Sequence, residues 1–94
     1  NGSLVGENDV FKQTVQTFRN IQLILNSQGA DMSDVLEFTT YLVGKESIKP
    51  FLDARKEAFS NYYPNHDYPA NTLLVVESLV SDEYLVEIKA VGIL

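Results

Sequence analysis

Two glutamates stand inside apolar segments near the end of this chain, where an ionised side chain is uncommon. Glu77 lies within residues 72–79 and Glu87 within residues 84–93, and both segments are rich enough in valine, leucine and isoleucine to predict β-strands. If the strands form a hairpin that turns at residues 81–83, the two carboxylates lie almost opposite each other, which is destabilising for like charges. Either the register is shifted, a cation lies nearby, or one carboxyl keeps its proton, and each alternative makes this face a candidate for acid–base chemistry.

A polar residue, Asn71, begins the first of these strands directly after Pro69 and Ala70. Its amide can contact a ligand or end the turn before the strand, and the sequence leaves both roles open. The hairpin register separates Asn71 from the level of Glu87 by about six residues, or ~20 Å. A single cleft that contains both side chains is therefore expected to lie across a subunit boundary.

The residue content excludes several kinds of site. Cysteine is absent, so the chain has no disulfide, thiolate nucleophile or cysteine metal ligand. With His66 as its one histidine, we do not expect a histidine zinc site or a Ser-His-Asp triad within a chain, although a ring of His66 side chains from several subunits stays open. We expect no metal and no cofactor. His66 itself is expected in a surface loop, near tyrosines that either rim a cleft or seal a helix end onto the sheet: Tyr62, Tyr63 and Tyr68.

The charge and hydropathy of the chain restrict its partners and its location. The net charge is -6 with a pI near 4.5, and the seven lysines and arginines are scattered along the sequence. Phosphate binding needs clustered cations, so we expect no nucleic acid as the main partner, although a local basic patch is compatible with the average. No apolar run approaches the ~20 residues of a membrane span. The sequence also does not open with the basic segment and following apolar segment of a secretory signal. We therefore expect no membrane partner and a cytoplasmic location.

Hydrophobic spacing predicts the order helix, strand, helix, strand, strand. Asn8 or Asp9 caps the first helix and Gly29 ends it, whereas Pro50 fits the first turn of the second helix. The sequence predicts one α+β domain over residues 1–94, in which two helices cover one face of a sheet. The elements that precede the final two strands are expected as follows: a helix over residues 9–28, a strand over 35–43 and a helix over 47–62.

The strand predicted over residues 72–79 is apolar on both faces. Leu73, Val75 and Leu79 share one face with Glu77, whereas the other face carries two further apolar side chains, Leu74 and Val76. A strand buried on both sides has to be covered twice, and the two helices cover only one side. We therefore predict that another subunit covers the second face.

The chain resembles the RidA/YjgF family, also known as the L-PSP endoribonucleases, over nearly its whole length. No single motif is specific, and it is the ordered series that carries the resemblance: Gly2-x-Leu4-Val5 with Asp9, Gln13-Thr14-x-Gln16 with Asn20, Leu25, Gly29-Ala30, Asp34-Val35, Phe51, Pro69-Ala70-x-Thr72 and Val86-Glu87-Ile88-x-Ala90.

The resemblance implies a chorismate-mutase-like, or YjgF-like, fold. Three subunits of this fold form a trimer, whose central β-barrel buries the second face of each sheet. Ligand clefts lie between neighbouring subunits. Members of the family begin earlier, with a pair of strands and a Ser-Gly-Gln segment, so we expect that these N-terminal strands are missing from the given sequence.

The resemblance also implies a chemistry. Active members hydrolyse reactive enamines and imines from amino-acid metabolism and release ammonia. An arginine after the Pro-Ala pair holds the substrate carboxylate through two charged hydrogen bonds, and this chain has Asn71 at that position, beside Ala70. Glu87 corresponds to the glutamate that positions or protonates the substrate through water. The nearby cations in the sequence are Arg55, Lys56 and Lys89, and Arg55, on the second helix, can in principle reach a cleft.

Three hypotheses follow for a homotrimer with a small-molecule cleft at each subunit interface. The first is a hydrolytic deaminase of imines or enamines with altered substrate preference, in which Glu87 is catalytic and Asn71, Arg55 and Ala70 contact the ligand. The second is a non-catalytic protein that binds a metabolite or regulates in response to it. The third, an endoribonuclease, is disfavoured by the acidic charge.

Overall fold

The computed structural model describes residues 6–92. The motif residues Gly2, Leu4 and Val5 and the predicted strand end at Ile93 lie outside the described residues. The predicted order of elements is confirmed: α1 (Val10–Ser27), β1 (Val35–Val43), α2 (Ile48–Tyr62), β2 (Ala70–Val76) and β3 (Val86–Gly92), with short 3₁₀ turns at Met32–Asp34 and Lys45–Ser47.

Local side chains define both ends of α1. The Asp9 carboxylate accepts a hydrogen bond from the Lys12 backbone N–H at 3.0 Å, which satisfies one of the free donors of the first turn. At the other end Gly29 adopts a φ of 78°, a conformation that glycine reaches without a side-chain clash. The chain then reverses, and the Ala30 N–H donates to the Leu25 carbonyl at 2.9 Å. Asp9, one of the two predicted caps, therefore begins this helix, and the predicted Gly29 follows its last turn.

The two helices pack on one face of the sheet, as the sequence predicted. Phe18 of α1 is 1% exposed, and its ring centroid lies 5.4 Å from the rings of both Phe38 in β1 and Phe59 in α2. Phe51 of α2 is fully buried beside them, with its centroid 6.5 Å from that of Phe18. Aromatic pairs at such separations add stability beyond that of the buried area alone. This aromatic cluster holds both helices against the centre of the sheet.

The predicted hairpin between the last two strands is wrong. The strand order is β2-β1-β3, in which β1 runs parallel to β2 and antiparallel to β3. β1 takes the central position because its helix-facing side chains, Phe38, Thr40 and Leu42, are at most 1% exposed. α2 then provides the crossover that two parallel strands require, and neighbouring strands in sequence need not pair.

The corrected register separates Glu77 from Glu87. Glu87 lies opposite Tyr41 of β1, whereas Glu77 follows the last residue of β2, Val76, which is paired with Val43. The predicted opposition of two carboxylates therefore does not arise. Segment 77–85 instead carries the chain from one edge of the sheet to the other.

One face of the sheet points away from both helices, and we call it the open face. It carries side chains from all three strands, since paired residues point to the same side: Thr39, Tyr41, Leu74, Glu87 and Lys89. Leu74 is 44% exposed, and no element among residues 6–92 covers this face. Val75, on the helix side of the same edge strand, is 45% exposed. Both apolar faces of β2 therefore retain exposed surface in a single chain.

Gln13 ties the loop before β3 to α1. Its side-chain amide donates to the carbonyls of Gly6 and Glu83, each at 3.1 Å, and accepts from the Leu85 N–H at 2.8 Å. The side chain is 4% exposed and its bonds are satisfied by the protein itself, which is typical of a structural role. In contrast, the other two polar residues of this helix face, Gln16 and Asn20, bond to each other at the surface.

Neither helix in the described part of the chain is long and apolar enough to cross a membrane.

The buried hydroxyl of Tyr63 is expected to stabilise the fold in a pH-dependent way. It donates to the Met32 carbonyl at 2.7 Å, and burial raises the pKa of Tyr63 from 10.0 to about 12. We expect Tyr63→Phe to lower the free energy of unfolding by about 1 kcal/mol at neutral pH, because the Met32 carbonyl loses its partner. Since the folded pKa is the higher one, this stabilisation is complete below pH 10 and is lost as the pH rises towards about 12.

Urea denaturation of wild type and variant between pH 7 and pH 12 tests this prediction. The wild type should lose more stability than Tyr63→Phe between pH 10 and about 12. Tyr84→Phe is the matched control, because Tyr84 is 44% exposed and its hydroxyl makes no hydrogen bond with residues 6–92. Equal pH profiles for all three proteins would contradict the role assigned to Tyr63.

Candidate functional site

A cleft of about 410 Å³ lies between α2 and the start of β2. Four of its residues come from one side of the helix, at spacings of three and four residues that bring side chains to the same face. The rest come from the segment that leads into the strand. The full lining is Leu52, Arg55, Lys56, Phe59, Tyr68, Pro69 and Asn71.

Arg55 lies half-buried in this cleft over the aromatic cluster. Its guanidinium carbon is 5.6 Å from the ring centroid of Phe51 and 6.0 Å from that of Phe59, so the cation is placed on two ring faces. Burial lowers the pKa of Arg55 from its ordinary value, but an arginine remains charged at neutral pH. No carboxylate among residues 6–92 lies within 4.0 Å of it. The guanidinium therefore has donors available for an anion from outside this part of the chain.

Asn71 faces the same cleft from the strand. Its side-chain carbonyl accepts a hydrogen bond from the Thr40 hydroxyl at 3.2 Å, and Thr40 is fully buried in the neighbouring strand. With the carbonyl turned to Thr40, the amide nitrogen is the group of Asn71 that remains to donate. Arg55 and Asn71 thus supply a charged and a neutral donor to one cavity.

The cleft is cationic in an acidic protein. Its charged lining residues are Arg55 and Lys56, and no Asp or Glu lines it, although the chain as a whole carries a net charge of -6. Because Arg55 is partly removed from water, its attraction for an anion is screened less than that of a fully exposed cation. The local field therefore favours an anionic ligand.

The rest of the cleft lining is aromatic and apolar. The ring of Tyr68 lies 5.6 Å from that of Phe59 at an interplanar angle of 33°, and 6.3 Å from the ring of Tyr63 at 86°. His66 is in the predicted surface loop, and its Nδ1 lies 2.7 Å from the Tyr68 hydroxyl. Tyr68 is 52% exposed, yet contacts at both its ring and its hydroxyl define its position. Of the two roles open to the tyrosines, Tyr68 lines a cleft and Tyr63 seals the helix end.

The structure brings together two of the four residues singled out as site residues. Arg55 and Asn71 share the cleft, whereas Glu87 and Ala70 lie on the open face. The β1 partners of Asn71 and Glu87 are Phe38 and Tyr41, so the two side chains are ~10 Å apart along the strands and ~10 Å apart across them. They also point to opposite sides of the sheet, and one subunit does not bring them into a single cavity.

Three lining residues of α2 were not among the predicted ligand contacts: Leu52, Lys56 and Phe59. The signal that finds them is helical spacing, because positions 52, 55, 56 and 59 fall on one stripe of α2 beside Arg55. Phe59 also belongs to the core, at 5% exposure. Helical spacing alone does not show that β2 lies next to this stripe.

Among residues 6–92 there is no group of three or more His, Asp or Glu side chains placed to hold a metal ion. The chemistry that this cleft offers is hydrogen bonding and charge.

Comparison with known proteins identifies a sequence family. The family described as endoribonuclease L-PSP matches residues 1–94. Among solved structures, the Rid-family protein YyfB of Yersinia pestis is 33% identical with a TM-score of 0.86, and the alignment covers 100% of this chain and 69% of that one.

Two further structures share the fold. PA3499 of Pseudomonas aeruginosa is 27% identical with a TM-score of 0.79, over 87% of this chain and 56% of that protein. TdcF of E. coli, solved with bound serine, is 21% identical with a TM-score of 0.80, over 90% of this chain and 65% of TdcF. The chain therefore spans roughly half to two thirds of the length of these relatives.

The bond between Thr40 and Asn71 is expected to hold the Asn71 amide in its orientation. We expect Thr40→Val, a change of similar shape, to lower the free energy of unfolding by about 1 kcal/mol, because a buried hydrogen bond is lost. Thr39→Val is the control, since Thr39 is the adjacent residue on the open face, and its effect should stay within about 0.5 kcal/mol. A double-mutant cycle with Asn71→Ala, measured by urea denaturation, should give a coupling of about 0.5–1.5 kcal/mol. A coupling of zero would contradict this role of Thr40.

Proposed function

The chain belongs to the endoribonuclease L-PSP family, which includes the Rid proteins, and we propose that it is a RidA-like hydrolytic deaminase of small imino or enamino acids. In this proposal the substrate carboxylate binds Arg55 and Asn71 in the cleft between α2 and β2. The site is completed by a neighbouring subunit of a homotrimer, and the protein acts in the cytoplasm.

The observation that carries the proposal is the position of Arg55 beside Asn71. The family resemblance leads one to expect an arginine at position 71 as the carboxylate ligand, and its replacement by asparagine would remove that charge. Arg55 reaches the same cavity from the helix and has no carboxylate partner within the described residues. The cation is therefore retained in the cleft, and only the element that supplies it differs. A carboxylate bound between a guanidinium and an amide accepts charge-assisted hydrogen bonds, which are stronger than hydrogen bonds between neutral groups.

A relative with the same fold supports the choice of ligand class. TdcF has been solved with bound serine, an amino acid that carries a carboxylate. The identity of 21% supports the shared fold, and the donors named above supply the local reason to expect an acid here.

Glu87 enters the proposal from a second subunit. It lies on the open face and is exposed, whereas the cleft lies on the helix side of the sheet, so the two can meet only if one subunit packs its open face near the β2 edge of another. Exposed apolar side chains favour such packing, since Leu74 and Val91 on the open face are 44% and 42% exposed. A closed, symmetric assembly repeats the contact and covers every open face.

The proposed reaction is the addition of water to a carbon–nitrogen double bond. The Glu87 carboxylate orients a water molecule and accepts its proton as the oxygen bonds to the imine carbon. The same proton then passes to nitrogen to give a carbinolamine. Its hydroxyl proton is next transferred to the nitrogen by way of the Glu87 carboxylate as the carbon–nitrogen bond breaks, so that ammonia leaves and a 2-oxo acid forms. Arg55 and Asn71 hold the carboxylate throughout, which fixes the reacting carbon relative to the water.

A non-catalytic binding protein is the second candidate. Its support is Asn71 in place of arginine, together with a cleft that contains donors but, among residues 6–92, no carboxylate in its lining to activate a water molecule. Endonuclease activity has less support, because Arg55 and Lys56 are the only cations that line the cleft and the net charge of -6 opposes phosphate binding.

Moving the arginine between its two possible positions tests the carboxylate site. We expect Arg55→Gln to weaken the binding of a 2-oxo acid by roughly ten- to a hundredfold, since a charged hydrogen bond contributes about 1.5–3 kcal/mol. The double variant Arg55→Gln with Asn71→Arg should recover most of that loss, because the cation returns to the same cavity from the strand. The rate of hydrolysis of 2-imino acids should rank these variants in the same order as the binding of 2-oxo acids does. The imino acids are generated in the assay by an amino-acid oxidase, and the loss of the imine is measured over time.

Arg19→Gln is the matched control, because Arg19 is exposed on α1 and is the other arginine of the chain. It should bind and hydrolyse as the wild type does. If Arg55→Gln binds 2-oxo acids unchanged, Arg55 is not the carboxylate ligand. If binding follows the predicted order but no protein accelerates imine loss above the spontaneous rate, the site is a binding site and the deaminase proposal is wrong.

Mixed oligomers test whether Glu87 acts across a subunit boundary. Arg55→Gln and Glu87→Gln subunits should each be slow in imine hydrolysis. When the two are co-expressed and mix at random, about a quarter of interfaces combine an intact cleft with an intact Glu87, so activity should return to about that fraction. Mixing the two pure proteins without subunit exchange is the control. Full activity of Glu87→Gln alone would contradict a catalytic role, and no recovery on mixing would contradict a shared site.

A further inference from the structure

The apolar and aromatic residues that line the cleft, here called the apolar wall, indicate a feature of the ligand that the donors do not. Arg55 and Asn71 account for a carboxylate, but four of the seven lining residues are apolar or aromatic: Leu52, Phe59, Tyr68 and Pro69. A carboxylate attached to a small polar group would leave this surface in contact with water, at a cost that scales with its apolar area.

The size of the cleft points the same way. Its volume of about 410 Å³ lies within the range of roughly 300–1,000 Å³ that is usual for ligands larger than a three-carbon acid. A molecule as small as pyruvate would occupy the donor end alone.

The Tyr68 ring is held as a flat wall rather than left free. Its tilted contact with Phe59, with centroids 5.6 Å apart at 33°, orients the ring, and His66 Nδ1 lies 2.7 Å from its hydroxyl. A side chain that is 52% exposed and yet fixed at both ends loses little conformational entropy when a ligand packs against it. An aromatic group is the partner for which such a fixed flat surface is most favourable.

We propose that the preferred ligands of this cleft are 2-imino and 2-oxo acids with an aromatic or large apolar side chain. The carboxylate binds Arg55 and Asn71, and the side chain packs between Tyr68 and Leu52. This inference rests on the proposed function, because it assumes the carboxylate site, and it adds the class of substrate that the site selects.

Lys56 defines the competing class of ligand. It also lines the cleft, and a ligand with a second acidic group would pair with it. Lys56 is exposed, and an exposed ion pair contributes little because water screens it. Apolar and aromatic residues form the larger part of the lining, so a dicarboxylic acid should gain less than an aromatic acid does.

Three stable acids that share the 2-oxo carboxylate test this preference: phenylpyruvate, pyruvate and oxaloacetate. We expect phenylpyruvate to bind at least about tenfold more tightly than pyruvate, and oxaloacetate to bind within about threefold of pyruvate, as burial of an aromatic group outweighs an exposed ion pair. NMR titration of the protein measures all three affinities, including weak ones.

Variants of the wall make the test specific. Tyr68→Ala should remove most of the preference for phenylpyruvate and leave pyruvate binding within about twofold, because Tyr68 does not contact the carboxylate. Leu52→Ala, at a position 38% exposed, should reduce the preference in the same direction and keeps the test valid if Tyr68→Ala does not fold. Leu23→Ala is the control, an exposed leucine of α1 outside the cleft.

The outcomes separate this inference from the proposed function. If the three acids bind equally, or oxaloacetate binds most tightly, and Arg55→Gln weakens them all, the carboxylate site stands and the aromatic preference is overturned. If none of the acids binds, both are overturned. If phenylpyruvate binds most tightly but Tyr68→Ala and Leu52→Ala keep the full preference, the aromatic group does not lie on this wall and the inference is wrong.

Discussion

The burial of one row of side chains on β1 is the constraint from which the rest of the fold follows. Phe38, Thr40 and Leu42 are almost completely enclosed beneath two helices, and Phe18 and Phe59 meet on top of this row. Close-packed interiors tolerate few changes in such a layer, so β1 has one stable position, at the centre of the sheet. Both of its edges must then be paired, and the two later strands take one edge each.

This central position determines how the functional groups are distributed. Because β2 and β3 flank β1, the Asn71 side chain lies under α2 on one side of the sheet, and Glu87 points out from the other side. The same arrangement leaves apolar side chains such as Leu74 exposed on the open face. The proposed oligomer and the proposed shared site thus rest on one observation: the three-stranded sheet has two faces, and residues 6–92 cover one of them.

In the proposed carboxylate site, Arg55 of α2 supplies the positive charge that the family resemblance leads one to expect at position 71. A carboxylate responds to the position of the cation and to its degree of desolvation, and not to the element that carries it. α2 lies against the start of β2, so a side chain from either element reaches the same space, and Arg55 enters it beside Asn71. The aromatic rings beneath the guanidinium hold it in place without neutralising it, which leaves its charge available to a ligand.

The sequence by itself determined the elements and their types, because helix periodicity, the Asp9 cap and the turn at Gly29 are local properties that need no partner. It also singled out Arg55 and Asn71, although it had no means to place them together. The pairing of strands was decided only by the tertiary structure. Adjacent strands often form hairpins, but here the burial of the β1 row outweighed that tendency, and the resulting order separated Glu87 from the cleft. Side chains close in space and distant in sequence meet only through such non-local packing, and for this reason the cleft could not be derived from spacing alone.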